Sequence, residues 1–168
     1  MKKLFLISVL ILGTVTANAQ FKLGVNGGVQ IPIGNFGDVA NVGFGGGINA
    51  EYLLNESFGL GLDAGYYNFG TEIDGFSFNM IPITVGAKYY FLTEGIQPYA
   101  GAGLGIYGFG ADSETNWNFG LAPVIGMQFA LSDTFALDLN VKYNHVFTKG
   151  SATSTFGINV GVVYKFGN

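Results

Sequence analysis

From Phe135 to Phe147 every second residue is apolar or aromatic: Phe135, Leu137, Leu139, Val141, Tyr143, His145 and Phe147, with His145 the one exception. The residues between them, Ala136, Asp138, Asn140, Lys142, Asn144 and Val146, are mostly polar. Side chains of a strand alternate between its two faces, so this period of two is a strand with one greasy and one polar face. The pattern recurs in Phe156, Ile158, Val160, Val162, Tyr164 and Phe166 against Gly157, Asn159, Gly161 and Lys165. It recurs in Phe58, Leu60, Leu62, Ala64 and Tyr66 against Gly59, Gly61, Asp63, Gly65 and Tyr67, and in Ala100, Ala102, Leu104 and Ile106 against Gly101, Gly103, Gly105 and Tyr107. Turn signals at short, even spacing divide the chain into eight such segments: Phe21–Ile31, Val42–Leu54, Phe58–Phe69, Phe76–Phe91, Tyr99–Gly110, Trp117–Leu131, Phe135–Thr148 and Thr155–Phe166.

Which face meets water is decided by composition. Charged residues are 11% of the 168-residue chain, against about 25% in soluble domains. The second face is glycine, asparagine, tyrosine and a few charges, too little polarity for a water-facing exterior. After the first twenty residues no apolar run approaches the ~18 residues a membrane helix needs. An all-β, eight-stranded, antiparallel up-and-down transmembrane β-barrel satisfies both facts, with the Leu/Val/Phe/Ile face toward lipid and the polar face lining a narrow lumen. Aromatic residues gather near the strand ends, with Phe21, Tyr52, Phe58, Phe129, Phe135, Tyr164 and Phe166 at one and Tyr66, Trp117, Phe119, Tyr143, Phe147 and Phe156 at the other. Two interfacial girdles are expected there. Pro82 and Pro123 fall inside strands, where each removes a ladder donor. A bulge is expected at each, with a possible change of parity at Pro82.

The amino terminus has its own signature. Lys2 and Lys3 precede the apolar stretch Leu4 to Leu12, and Ala17-Asn18-Ala19 gives a small-x-small cleavage pattern. Residues 1–19 are read as a cleaved secretory signal peptide and 20–168 as one barrel domain. Removing Lys2 and Lys3 leaves five lysines against eleven acids, a net charge of −6 with no arginine. That acidity, with no basic cluster, excludes nucleic-acid binding. There is no cysteine, hence no disulfide, thiolate metal site or lipid-modified amino-terminal thiol.

The carboxyl-terminal run Asn159-Val160-Gly161-Val162-Val163-Tyr164-Lys165-Phe166 resembles the outer-membrane β-signal, with Asn159, Gly161, Tyr164 and Phe166 at its polar, glycine, hydrophobic and aromatic positions. Gly167 and Asn168 extend beyond the aromatic at which many such chains stop. Pro98-Tyr99-Ala100-Gly101-Ala102-Gly103-Leu104-Gly105 resembles the fifth strand of small eight-stranded outer membrane barrels of the OmpA/OmpX type. The resemblance implies a bacterial outer-membrane location, a lipid environment, and periplasmic chaperones and barrel-assembly machinery as partners during biogenesis. It implies no activity, and no peptidoglycan-binding domain is expected after the last strand. With the amino terminus in the periplasm, Asn55-Glu56-Ser57, Leu92 to Gln97 and Ser132-Asp133-Thr134 are periplasmic turns. The outer loops are then Pro32–Asn41, Gly70–Gly75, Ala111–Asn116 and Lys149–Ser154. They are acidic, with Asp38, Glu72, Asp74, Asp112 and Glu114 against Lys149.

Candidate chemistry is sparse. Gly103-Leu104-Gly105-Ile106-Tyr107-Gly108 fits a dinucleotide-binding spacing, but no helix follows it, so these glycines, like Gly43, Gly45 and Gly47, are read as seats for neighbouring rings. Asn55-Glu56-Ser57 fits a glycosylation sequon, which a tight turn explains better. His145 is the only histidine. It lies on the lipid parity near the outer end of its strand, with Ser151 and Ser154 following, but no serine stands at a His-x-Ser spacing. The most informative group is on the lumen parity: Lys22, Glu51, Asp63, Lys88, Asp138, Lys142 and Lys165. Charges inside a membrane protein are costly unless paired or hydrated. They are expected to form one belt in the periplasmic half, with only Lys142 reaching mid-height, that fills the lumen of so narrow a barrel. The sequence thus points to a non-enzymatic barrel with a structural or surface-interaction role. A small pore or apolar-ligand conduit, and a lipid A-modifying enzyme using His145, are the alternatives. No catalytic, cofactor-binding or metal-ligating residue is assigned, and no surface ligand is identified. Cleavage before Gln20 predicts that the intact mass of the membrane-purified protein lacks Met1 to Ala19; a mass that retains them contradicts the signal peptide.

Overall fold

The computed structural model describes residues 21–71, 77–111, 114–148 and 151–166. The candidate signal segment and Gln20, the loop acids Glu72, Asp74 and Asp112, together with Lys149, Gly167 and Asn168, lie outside the described residues, as do the side chains of Glu114 and Ser151. Eight strands follow in chain order: β1 (Phe21–Ile33), β2 (Gly43–Asn55), β3 (Phe58–Gly70), β4 (Ser77–Tyr90), β5 (Ile96–Ala111), β6 (Glu114–Ala130), β7 (Phe135–Thr148) and β8 (Ser151–Phe166). Each pairs antiparallel with its sequence neighbours, and β8 returns to β1 to close the barrel. That closing ladder runs without a break from Phe21↔Phe166 to Ile33↔Ser154. Both Phe21 and Phe166 mark what we call the near end of the barrel; the opposite end is the far end.

The near end is joined by tight turns whose side chains replace ladder partners. Asn55 Oδ1 accepts hydrogen bonds from the backbone N–H of Ser57 and of Phe58, each 2.9 Å, so the apparent sequon is an Asx turn. Ser132 Oγ accepts one from Phe135 N–H at 3.0 Å. Gly95 takes a positive φ of 62°, a region closed to most side chains, in the turn between β4 and β5. The far end is more compact than the alternation suggests. Strands β6 and β8 begin at Glu114 and Ser151, before the expected Trp117 and Thr155, so only two residues separate β5 from β6 and β7 from β8. Of the expected outer loops, Ala111–Asn116 and Lys149–Ser154 are therefore mostly strand. Polar residues such as Thr115, Asn116 and Thr153 disguise this, because a strand beyond the hydrocarbon no longer needs an apolar face. The β1–β2 connection, residues 34–42, is the longest at this end, and it opens with a single 3-10 turn, Gly34–Phe36.

The prolines correct another expectation. Neither Pro82 nor Pro123 produces a bulge. The β3–β4 ladder omits the pairs that would join Gly65 and Tyr66 to Pro82 and Ile81, then resumes in the same register. The β6–β7 ladder likewise skips Ala122 and Pro123 and resumes unshifted. On their other sides both prolines stay in register, with Tyr107 and Ala102. A missing donor opens the ladder locally on one side and the flanking pairs hold register, so parity does not flip at Pro82. Among the described residues the register shifts elsewhere, at Leu53/Asn55, where β2 enters its turn.

The two faces separate cleanly. Val25, Ile48 and Ile125 on the outer wall are each more than 60% exposed, whereas lumen-facing Phe69, Met80 and Tyr107 are fully buried. The buried interior is thus the lumen itself, and its lining positions the candidate site.

Candidate functional site

Starting from the near end, the lumen side chains stack in layers. Glu51, 1% exposed, accepts from Lys88 Nζ at 2.8 Å through Oε2 and from the Tyr90 hydroxyl at 2.7 Å through Oε1. Lys22 Nζ donates to Gln128 Oε1 at 3.2 Å and sits 4.2 Å above the Tyr90 ring. Asp138 takes the Tyr99 hydroxyl at 3.1 Å and the Asn140 amide at 2.7 Å. Leu53 and Val124 pack against the two tyrosines. Lys165 stands next to Lys22 in the β1–β8 ladder.

At mid-height Lys142 Nζ meets Asp63 Oδ1 at 3.1 Å, so an acid as well as a lysine reaches this level. Asn159 bridges Asn140, at 3.0 Å, to the Tyr67 hydroxyl, at 3.1 Å. Above it Gln30 Oε1 accepts from Thr155 at 2.9 Å and Asn144 at 3.1 Å, and Tyr107 donates to Asn144 at 3.1 Å. The ion pairs are thus two separate links in a ladder of neutral hydrogen bonds rather than one continuous belt. The Glu51–Lys88 pair is the drier; side chains of Lys142 and Asp63 are 22% and 29% exposed.

The far mouth is closed by hydrocarbon. Phe36, carried by the 3-10 turn, packs edge-on against Phe69 at 5.2 Å, Phe109 at 5.9 Å and Phe78 at 6.2 Å, over Met80 and Val146. The turn is pinned by Ala40 N–H to Phe36 O, 3.0 Å, and Asn41 N–H to Gly70 O, 2.8 Å. Cavities of about 50 and 30 Å³ flank Asp63 and Lys142. Both have room for a few waters and neither for an apolar ligand.

Glycines make this filling possible. A Cβ at Gly126 would lie 2.6 Å from the Tyr99 ring, and one at Gly120 would lie 2.7 Å from that of Tyr107. Each ring lies flat across a bare stretch of the neighbouring strand, an approach any larger residue would block. The G-x-G-x-x-G segment is strand throughout, since β5 continues past Gly108 to Ala111. Of the carboxyl-terminal residues, Asn159 and Gly161 face the lumen, whereas Tyr164 and Phe166 lie on the outer wall, their rings 4.5 Å apart.

A profile of the outer membrane protein beta-barrel domain matches residues 4–166. The chain belongs to this family. A Haemophilus influenzae protein described as uncharacterized is 24% identical over 184 residues, covering 99% of this chain and all of its own length. Among solved structures, Neisserial surface protein A superposes with a TM-score of 0.69 at 20% identity, covering 89% of this chain and 97% of that one. The N-terminal barrel of Pseudomonas aeruginosa OprF gives 0.58 at 18% identity, with 86% and 97% covered. Ail of Yersinia pestis, solved with the heparin analogue sucrose octasulfate, gives 0.56 at 21% identity, with 88% and 97% covered. These likenesses establish the fold, and family and fold together point to the bacterial outer membrane.

Sequence adjacency missed the partner of His145. The β7–β8 register sets His145 directly opposite Ser154, and His145 Nδ1 lies 3.0 Å from Ser154 Oγ. Tyr143 completes a triangle, its hydroxyl 3.2 Å from Ser154 Oγ and 3.3 Å from the same ring nitrogen. Counting inward from the Thr148↔Ser151 pair finds His145 opposite Ser154. The chemistry of the triangle is limited. One nitrogen is shared between two hydroxyls, and no carboxylate orients the ring among the described residues. The triangle satisfies three polar groups on a lipid-facing wall, between Phe147 and Phe156.

The lumen geometry ranks two substitutions. Removing one partner of a buried ion pair costs up to about 3–5 kcal/mol, less where water reaches the survivor. Glu51→Ala strands Lys88 and frees the Tyr90 hydroxyl, whereas Asp138→Ala strands only neutral donors. Denaturant unfolding in detergent is expected to show both variants less stable than wild type, Glu51→Ala by the larger amount; an unchanged midpoint for Glu51→Ala refutes the ranking.

Proposed function

We propose that the protein is a non-enzymatic, non-conducting outer membrane barrel that serves envelope structure and presents a surface for interaction. The observation that carries this reading is the filled lumen: ion pairs and tyrosines occupy its near half, and Phe36 with three further phenylalanines closes its far mouth. A pore needs a continuous water path, and an apolar conduit needs a lumen cavity larger than the two that flank Asp63 and Lys142. In this reading residues 1–19 are removed on export, the near end is periplasmic, and Asn159, Gly161, Tyr164 and Phe166 present the last strand to the barrel-assembly machinery after periplasmic chaperones have delivered the chain.

Interaction then falls to the far end and above all to the β1–β2 connection, where Asp38, Val39 and Val42 are exposed. The far-end segments carry five acids and one lysine in sequence, so a polyanion such as the ligand in the Ail structure is a poor match for this rim. Neutral or cationic partners fit it better.

Planar-bilayer recordings of the wild-type protein are expected to show no stable open steps, and steady conductance would replace this reading with the pore. For the enzymatic alternative, expression of wild type, His145→Ala and Ser154→Ala in the same cells is expected to give identical lipid A profiles. A lipid A species that disappears in both variants would restore an enzyme built on that pair.

A further inference from the structure

The lumen carries one more cation than acid: Lys22, Lys88, Lys142 and Lys165 against Glu51, Asp63 and Asp138. Two ion pairs use Lys88 with Glu51 and Lys142 with Asp63, and neutral donors hold Asp138. The remainder is therefore concentrated at one place. Lys22 and Lys165 are direct cross-strand partners in the β1–β8 ladder at the near mouth, and neither forms an ion pair among the described residues. Like charges directly opposite each other in a ladder repel. Lys22 has little freedom to move away, because it is 3% exposed and Tyr90 and Gln128 hold its ammonium group.

Gln128 adds an independent observation. It is 1% exposed, it gives its oxygen to Lys22, and its Nε2 has no acceptor among the described residues. A buried N–H group without an acceptor is costly. Two ammonium groups and an amide thus share one corner of the mouth, where the Gln128 oxygen answers Lys22 alone and Gln128 Nε2 has no acceptor among the described residues.

We propose that this corner is an anion-binding site for a phosphate-class oxyanion, with Lys22, Lys165 and Gln128 Nε2 as its donors. An oxyanion supplies several acceptor atoms at once, so one group can answer donors on β1, β6 and β8, and charge-assisted bonds of this kind are the strong ones. Lys22 and Gln128 form the buried floor, and half-buried Lys165 is the entrance. The phosphate has two possible sources. The Phe21–Phe166 ring pair, 5.8 Å between centroids, and Tyr164 beside it mark the headgroup level on the outer wall of the same two strands, so a lipid headgroup phosphate lies within reach as well as free phosphate.

The test is thermal unfolding of the purified barrel in nanodiscs. One arm titrates inorganic phosphate against chloride at fixed ionic strength in phosphatidylcholine discs. The other compares phosphatidylcholine with phosphatidylglycerol-containing discs in phosphate-free buffer. A saturable rise of the midpoint in the first arm assigns the site to free phosphate, and a rise in the second to the lipid headgroup. In either case Lys165→Gln, at a half-exposed position the fold tolerates even where Lys22→Gln misfolds, is expected to weaken the effect about tenfold, the loss of one charge-assisted hydrogen bond. Lys149→Gln, in the β7–β8 connection, is expected to leave it unchanged. No rise in either arm, or a rise that Lys165→Gln does not weaken, overturns the site.

Discussion

Everything in this molecule follows from the rule that hydrocarbon accepts no unpaired peptide group. Eight strands whose side chains alternate by two cannot lie in a bilayer as an open sheet, because both edges would present bare N–H and C=O groups to lipid. The unbroken thirteen-pair ladder between β1 and β8 removes those edges. It also dictates what the side chains must be, for once the wall is closed, half of them point into a space only a few side chains wide.

That space is where the sequence meets its hardest packing problem. Apolar filling would suit a dry lumen, yet the interior combines ion pairs, amides and tyrosine hydroxyls with an apolar stopper at one mouth. Tyrosine carries much of this burden. Tyr90, Tyr99, Tyr67 and Tyr107 each reach across the lumen with an apolar ring and end in a hydroxyl that finds Glu51, Asp138, Asn159 or Asn144. The same ring that fills volume delivers a hydrogen bond to a strand that is not its neighbour, so each tyrosine ties together parts of the wall that the ladder alone does not connect. Glycine on the adjacent strand is the complement, leaving the flat space in which a ring can lie.

The wall was readable in the sequence, and the contents of the lumen only in outline. Alternation carries one bit per residue, inside or outside, and that bit placed Glu51, Asp138 and Lys142 on the inner face. It says nothing about which inner residues meet across the barrel, which depends on stagger and on side-chain length. Hence Lys22 meets Gln128 rather than a carboxylate, and Asp63 reaches the level of Lys142. The Phe36 stopper was invisible for a different reason: it sits in a connection, where no period distinguishes a buried ring from an exposed one. Ser154 was passed over because contact between strands is a property of register, not of adjacency. The prolines misled in the opposite direction, since local chemistry argued for a bulge while the pairs on either side of each were sufficient to keep the ladder in step.

The brevity of two far-end hairpins has a consequence for life on a cell surface. Only two residues separate β5 from β6 and β7 from β8, so half of the rim has little chain between its strands. In the orientation proposed above, an antibody, a phage or a protease approaching from outside meets the β1–β2 segment, and that segment is also the one that inserts Phe36 into the mouth. Selection for immune escape or phage resistance would act on the same few residues that keep the barrel shut. Variation should therefore accumulate around Phe36, at positions such as Asp38 and Val39, and spare the ring itself.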